Sequence, residues 1–423
     1  MVTEDREWIR PFESLSSEDV PQVGGKNASL GEMIQELRDQ GLRVPGGFAT
    51  TAWAYREYLS ANELSHRIES LLDEWVPGDE DLQETGKRIR RAIRGGEFPE
   101  EIRDAILEAY YSLSSEYGAG KLSVAARSSA TAEDLPEASF AGQQETFLNI
   151  SGTDELLEAC RKCYASLFTD RAISYLEEQG FDHMGVALSV GVQKMVRSDK
   201  AGAGVIFTID TETGFPEVVV INAAWGLGEN VVQGAVTPDE YRVFKPPLEE
   251  DMLKPIIRKE LGQKARKNIF ATGGSETVKE VDTPESQRRS FVLHDEEILQ
   301  LGRWAVAIED HYSRPMDIEW AKDGEDSQLY IVQARPETVQ SQRKAALAEL
   351  FDERNPAVKR TVRRLIGRAQ GVGCKTGICG QAPSDYPDFA AFLVEAGIDS
   401  ISLSPDSVIV VKRRVAHAEA EAQ

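Results

Sequence analysis

No stretch of the 423 residues is apolar for anything near the ~20 residues that crossing a bilayer requires. The opening MVTEDREWIRPF is acidic where a secretory leader would be basic and then apolar. Membrane and exported classes are set aside, and a cytoplasmic protein is expected. Cysteine is scarce as well, and four in a chain of this length do not make a disulfide framework. Cys160 and Cys163 form a C-x-x-C inside the helical-looking DELLEACRKCYASLF, but Cys374 and Cys379 are spaced by five, so the paired spacing of a four-cysteine zinc site is missing. Reduced thiols are the preferred reading of the first pair. Positive charge is the third shortage: 48 Lys and Arg stand against 71 Asp and Glu, a net charge of −23. That balance opposes nucleic-acid binding, which rests on basic patches. With arginine outnumbering lysine, it points to a salt-rich cytoplasm, a generic acidic protein being the alternative.

What is present is ordinary for a soluble globular protein, with 41% hydrophobic and 28% charged residues. The length predicts two or three cored units. Residues 26–41 place Leu30, Met33, Ile34 and Leu37 at helical spacing, with Gly41 as a stop. A short strand or turn, VPGGFAT, follows. Residues 52–117 read as helix-rich, broken near VPGDED and RGGEFPEE. From about residue 121 the runs LSVAAR, ETFLNI, ALSVGVQKMV, AGVIFTID and EVVVINAAWG predict a sheet region, with helices over 153–180 and near 295–310. The charged stretch 249–290 reads as an extended, partly exposed excursion with a solvated surface. Residues 315–336 predict a hairpin around a polar Asp-Gly turn, and 337–346 a junction. Beyond it, AVKRTVRRLIGRAQ, KTGICG, SDYPDFAAFLVEAG and SISLSP alternate as helix, strand, helix, strand. This is one slice of an α/β arrangement, too short for a parallel barrel of about 250 residues.

Several of these segments could carry chemistry. VGGKN at 23–27 sets two glycines and Lys26 just before a helix; it is no Walker A loop, and a simple turn explains it equally well. In LSVAARSSATAEDLPEASFAGQQETFLNI, Arg127 is expected to leave a strand into a loop rich in hydroxyls and backbone N–H groups suited to phosphate. A flexible surface loop is an equal alternative. In the hairpin, side chains two apart share a face, so Asp317 and Glu319 point one way and Ile318 and Trp320 the other. Gln333 and Arg335 share a face, with Tyr330, Val332 and Ala334 opposite. A turn centred near Glu325 sets Asp317 across from Gln333. Adjacent carboxylates repel unless a cation lies between them, and such oxygen donors suit Mg²⁺ carrying nucleotide phosphates; a solvated sheet face is the blander alternative. Cys379 follows KTGI at the C-terminal end of a strand, where barrel enzymes keep reactive groups, although a small buried thiol is the general case.

Together VGGKNASLGEM, VAARSSATAEDLPEASFAGQQETFLNI, VGVQKMV, AGVIFT, NAAWGLGENVVQG, PMDIEWA and LYIVQARPET resemble the nucleotide-binding domain of the phosphoenolpyruvate synthase (pyruvate, water dikinase) family, over roughly residues 8–340. The resemblance implies an α/β (α+β) chain: an ATP-grasp domain over 1–340, a junction at 341–346, a C-terminal fragment of a pyruvate- and phosphoenolpyruvate-binding (β/α)8 barrel over 347–415, and a tail at 416–423. It implies that Lys26 and Arg127 contact ATP phosphates and that Gln193, Lys194, Met195 and Val196 line the adenine. Asp317, Glu319 and Gln333 would hold Mg²⁺ and phosphate, with Arg335 at the triphosphate, and Cys379 would exchange a proton with pyruvate. In the family, phosphate passes from ATP to a histidine and then to pyruvate, giving phosphoenolpyruvate, AMP and phosphate.

The departure from that family is large. Members are about twice as long, and none of His66, His183, His294, His311 and His417 lies in a GGxTxH-like context. The junction therefore reads as an in-frame internal deletion that removes the phosphohistidine domain and most of the barrel. The chain is expected to bind Mg·ATP, as a homo-oligomer or with a separate phosphohistidine-bearing partner, or to be a catalytically incomplete module. The tail is expected to fold imperfectly, exposing Phe389, Phe392, Leu393 and Val394, which a full barrel would cover. The acidic balance makes its own prediction: the melting temperature rises steeply with KCl, and a protein equally stable without salt removes the halophilic reading.

Overall fold

The β-branched runs after residue 121 become strands of two antiparallel sheets. The computed structural model describes residues 7–75, 82–131, 145–248, 250, 253–271, 277–337, 356–378, 382–403 and 408–421. The chain divides into two units, 1–338 and 339–423.

In the first unit, one sheet has the order β1 (Ile9–Pro11), β2 (Gly47–Thr50), β5 (Leu188–Lys194), β3 (Ser123–Ala130), β4 (Thr146–Ser151). The other runs β13 (Leu329–Pro336), β12 (Met316–Lys322), β6 (Gly202–Phe207), β7 (Val218–Trp225), β8 (Asp239–Phe244), β9 (Ile256–Glu260). A separate hairpin joins β10 (Arg266–Phe270) to β11 (Val278–Asp282).

The helices are α1 (Val20–Glu36), α2 (Ala52–Ala61), α3 (Leu64–Asp73), α4 (Leu82–Arg94), α5 (Glu100–Glu116), α6 (Thr153–Ala165), α7 (Asp170–Glu178), α8 (Glu229–Val232), α9 (Glu285–Arg288) and α10 (Asp295–Tyr312). Helices α2 to α7 share a core with the first sheet around Tyr58, Tyr110, Tyr164 and Phe168. Helices α1 and α10 pack with the second sheet around Met33, Trp304 and Trp320. Cys160 and Cys163 are free thiols in the first core, and burial pushes Cys160 up to about 12. No helix among the described residues is long and apolar enough to cross a membrane.

The helical spacing of Leu30, Met33 and Leu37 is realised as a buried stripe, and Gly41 ends the following turn in the left-handed region at φ +78°. VGGKN, however, lies inside α1. Its backbone kinks at Gly24, φ +75°, where a Cβ would meet Ser129 Oγ at 2.2 Å. Only glycine lets the helix approach β3 so closely. Arg127 likewise is mid-strand, because β3 continues to Ala130; most of the loop beyond it, and the junction at 341–346, fall outside the described residues.

Residues 249–290, expected as an extended, partly exposed excursion, hold three extended and paired strands, β9 to β11, whose residues are exposed or half-buried. Strand β9 is a sheet edge whose exposed, charged residues carry no alternation to read. Beneath it lies a wholly buried ion pair. Asp239 accepts from the Lys264 ammonium and from the Gly262 N–H (2.8 Å) on one oxygen, and from the Val292 N–H (2.9 Å) and Tyr241 hydroxyl (3.2 Å) on the other. Lys264, at φ +42°, also donates to the Gly262 carbonyl at 3.0 Å.

The predicted hairpin forms with a different register. Asp317 faces Arg335 and Glu319 faces Gln333, and a bulge then leaves Val332 as an extra residue before Trp320 pairs with Ile331. The bulge breaks simple alternation. Tyr330 and Val332 pack with Val196, Ala203 and Ala321, whereas Ile331 and Ala334 enter the α1/α10 core.

The second unit has helices over Pro356–Gly371, Ala382–Asp385, Pro387–Glu395 and Val408–Glu421 and a parallel pair, β14 (Gly377–Ile378) with β15 (Ser400–Ile401). The expectation of bare apolar faces is corrected here. Phe389, Phe392 and Leu393 are buried with Ile366 and Ala382 in a small core of their own, Lys359 and Arg363 lie over the Phe392 ring, and Val394 is half-buried. Among the described residues of this unit, Leu365 and Val372 are the exposed large apolar ones.

The Asp239 node predicts a stability effect. Lys264→Met leaves a buried carboxylate without its cation and costs about 3 to 5 kcal/mol. Urea unfolding checks this, and adding Asp239→Asn recovers part of the loss.

Candidate functional site

A cleft of about 820 Å³ in the first unit is lined by both sheets and by α8. Two apolar clusters border it. One gathers Ala125, Leu148, Met195 and Leu227, with Phe270 and Val278 of the β10–β11 hairpin against them. The other gathers Val196, Ala203 and Ala321 with Tyr330 and Val332. Polar side chains also line it: Arg127, Glu319 and Gln333, with Arg171 and Glu145. The cleft suits a ligand with an apolar part and an anionic part.

Arg127 is the centre of the polar lining. Its Nη1 donates to the Val332 carbonyl at 2.8 Å, and Nη2 lies 4.0 Å from Glu319 Oε2. Its Nε is buried with no hydrogen-bond partner among the described residues. A buried guanidinium N–H without an acceptor costs desolvation energy, so it favours any ligand that brings an anionic oxygen.

Next to Glu319 on the same strand face, Asp317 takes two bonds on Oδ2 from Arg335, Nε at 2.9 Å and Nη2 at 2.7 Å. Burial raises the Asp317 pKa above the ordinary carboxylate value, the Arg335 charge and hydrogen bonds oppose this, and the Glu319 and Glu337 carboxylates add to the rise. The stability linked to a raised carboxyl is lost as pH rises through its folded pKa, so the ionised form of Asp317 is penalised chiefly by its burial. No three His, Cys, Asp or Glu among the described residues form a group able to hold a metal ion by themselves. A hard cation here would therefore need ligand or water oxygens beside the carboxylates.

The expected strand Gln193–Val196 is strand only to Lys194, where β5 ends, and with the following Met195 and Val196 it forms a wall of the cleft. Gln193 Nε2 donates to the Pro45 carbonyl at 3.3 Å, and the Met195 N–H to Ser123 at 2.9 Å. Lys194 reaches Asp323 at 3.4 Å and lies 5.3 and 5.4 Å from the Tyr117 and Tyr330 ring centroids. Asp323 also accepts from the Arg197 and Glu325 N–H groups at 3.2 and 2.8 Å. Burial alone would raise its pKa, but those N–H groups and the Lys194 ammonium hold it below the ordinary value.

Seven of the residues singled out in the sequence therefore line one cleft: Arg127, Gln193, Lys194, Met195, Val196, Glu319 and Gln333. Lys26, in α1, and the Asp317–Arg335 pair are not part of that lining. Cys379 lies outside the described residues. Sequence reasoning missed Glu145, Arg171 and Glu229, all of which line the cleft. Glu229 sits in the quoted GLGENVVQG, and its carboxylate accepts from Asn268 of the hairpin at 3.1 Å. Arg171 lies in a helix with no local signal.

The fold and the cleft define a mixed α and β domain with a ligand-sized cleft beside its sheets. Residues 20–355 match the family described as pyruvate phosphate dikinase, AMP/ATP-binding domain, and 338–420 match PEP-utilising enzyme, PEP-binding domain. The chain belongs to this family of PEP-utilising dikinases. It is 54% identical over 373 residues to the phosphoenolpyruvate synthase of Synechocystis sp., covering 86% of this chain and 46% of that protein. To the phosphoenolpyruvate synthase of Aquifex aeolicus it is 52% identical over 381 residues, covering 88% and 44%. To the probable phosphoenolpyruvate synthase of Methanocaldococcus jannaschii it is 45% identical over 332 residues, covering 78% and 27%. The chain thus spans less than half the length of these relatives, and its two family segments overlap over residues 338–355.

The Asp323 latch predicts a pH signature. A lowered carboxyl contributes stability above its unfolded pKa of about 3.9 that is lost as pH falls through the folded value. Asp323→Asn is expected to lower the melting temperature at pH 7, and the gap to wild type to close as pH drops below about 4.

Proposed function

We propose that this chain binds Mg·ATP in the cleft, as the ATP-binding part of a phosphoenolpyruvate synthase-type enzyme with an ATP-grasp fold. The observation that carries the reading is the buried, acceptor-less Nε of Arg127 beside Glu319 and Gln333. Triphosphate oxygens supply the missing acceptor, and the base occupies the apolar part along Gln193, Lys194, Met195 and Val196. Glu319 and Gln333 hold Mg²⁺ together with phosphate oxygens, and Asp317, whose charged form is penalised by its surroundings, is relieved by the cation. Arg335 orients Asp317 and faces the triphosphate. Lys26 approaches the phosphates from α1. In the whole enzyme, ATP, pyruvate and water would give phosphoenolpyruvate, AMP and phosphate, with Cys379 moving the proton at the pyruvate carbon. The second unit, with its parallel β14–β15 pair, would be the end of that enzyme's barrel.

A specific observation favours the incomplete-module reading for the chain by itself. None of the histidines with described side chains lines the cleft: His66 is exposed on α3, His183 pairs with Glu177, His294 caps α10, and His311 bonds Glu32 at 2.8 Å. Transfer onward then needs a histidine supplied by a partner, and the acidic surface belongs to a salt-rich cytoplasm.

³¹P NMR of the protein with Mg·ATP and pyruvate in KCl tests both statements. The ATP resonances are expected to shift and broaden with no phosphoenolpyruvate formed. Glu319→Gln is expected to weaken that binding roughly ten- to a hundred-fold. Unperturbed ATP resonances would remove the binding proposal, and AMP with phosphoenolpyruvate would remove the need for a partner.

A further inference from the structure

We infer that the α3–α4 face of the first unit carries a second binding site, for a small phosphate-bearing anion, separate from the ATP cleft. In a chain of net charge −23, residues 87–94, KRIRRAIR, hold five cations and no acid. Their fates differ. Arg90 turns inward to the Phe168 carbonyl at 2.6 Å and Asp170 at 3.0 Å, while Lys87 and Arg94 lie 3.5 and 3.4 Å from Glu84 and Glu158. Arg88 has only a distant Glu74, 3.9 Å away. Arg91 and, across from it on α3, Arg67 make no ion pair or hydrogen bond among the described residues. These last three arginines border one cavity of about 470 Å³ that shares no residue with the ATP cleft.

Like charges around a common cavity repel, and carboxylates to neutralise them are abundant in this sequence. Among the described residues Arg67 and Arg91 have no carboxylate partner and Arg88 only Glu74 at 3.9 Å, an arrangement that an added anion would complete. The cavity floor is fixed in advance. The Asn62 amide clamps Glu97 on both main-chain groups, accepting its N–H at 2.9 Å and donating to its carbonyl at 2.9 Å, and donates to the Tyr58 carbonyl at 2.8 Å. Tyr58 in turn donates to the Ile93 carbonyl at 2.5 Å. Gly96 lines the floor because a Cβ there would come within 2.5 Å of the Tyr58 hydroxyl. Three guanidinium groups bordering one cavity offer a phosphate group the bidentate donors that arginine supplies. The volume exceeds that of inorganic phosphate and accommodates a phosphorylated small molecule.

The test uses pyrophosphate as the probe, titrated calorimetrically into the full chain at constant ionic strength in KCl. Saturable binding is expected that weakens about tenfold or more in the double variant Arg67→Ala/Arg91→Ala and persists in Arg127→Met, which alters the ATP cleft. Both arginines of the double variant are exposed, so its melting temperature without probe is expected to match wild type. Binding unaffected by the double variant, or a response that potassium chloride alone reproduces, overturns the inference. So does a hexaglutamate peptide binding more tightly than pyrophosphate, which would assign the cluster to a protein partner.

Discussion

Strand β13 ends the second sheet, and an edge strand must find partners for main-chain groups that no neighbouring strand satisfies. Here those partners come from elsewhere in the first unit. The Ile331 N–H donates to Arg43, the Val332 carbonyl accepts from Arg127, and the Ala334 carbonyl accepts from Ser29, at 2.8, 2.8 and 3.0 Å. The first comes from the segment before β2, the second from β3, the third from α1. Gln333 and Arg335 project from that same stretch, so the bonds that quiet an exposed edge also set the site's carboxylate and guanidinium groups against the opposite sheet. Arg127 serves both purposes at once, with one nitrogen holding the backbone and another buried beside the cleft without an acceptor.

The electrostatics of the cleft follow from this joining. Burial raises the Asp317 pKa although Arg335 forks onto it, and the nearby Glu319 and Glu337 add to the rise, while Asp323, near the far end of the hairpin, is held low by N–H groups and Lys194. One end of β12 is therefore short of positive charge and the other is saturated with hydrogen-bond donors. A cation-bearing ligand has a reason to settle at the first and none at the second.

Much of this was legible in the residues. The face shared by Asp317 and Glu319 follows from strand periodicity alone, and the stripe Leu30, Met33, Leu37 from helical periodicity. The bulge at Val332 was not legible, because no local residue announces it; together with a turn centred between Glu325 and Asp326 rather than on Glu325, it moves the partner of Asp317 from Gln333 to Arg335, one residue from each cause. Strands β9 to β11 escaped notice since edge and hairpin strands with charged faces lack the alternation that burial imposes. The apolar residues of the second unit misled in the opposite sense: Phe389, Phe392 and Leu393 looked destined for a larger barrel, yet the helices over Pro356–Gly371 and Ala382–Asp385 and two short strands cover them. Arg171 entered the cleft lining through tertiary placement alone.

The Asp239 node has a consequence for how this sequence can vary. Its carboxylate joins the start of β8, the left-handed turn at Lys264 and the approach to α10, which are far apart in the chain. Replacing either Asp239 or Lys264 alone strands a buried charge, so drift at this pair is epistatic and proceeds by paired replacement. The main-chain donors at Gly262 and Val292 constrain the path of the chain rather than the residue type, so two distant positions of the gene evolve as one.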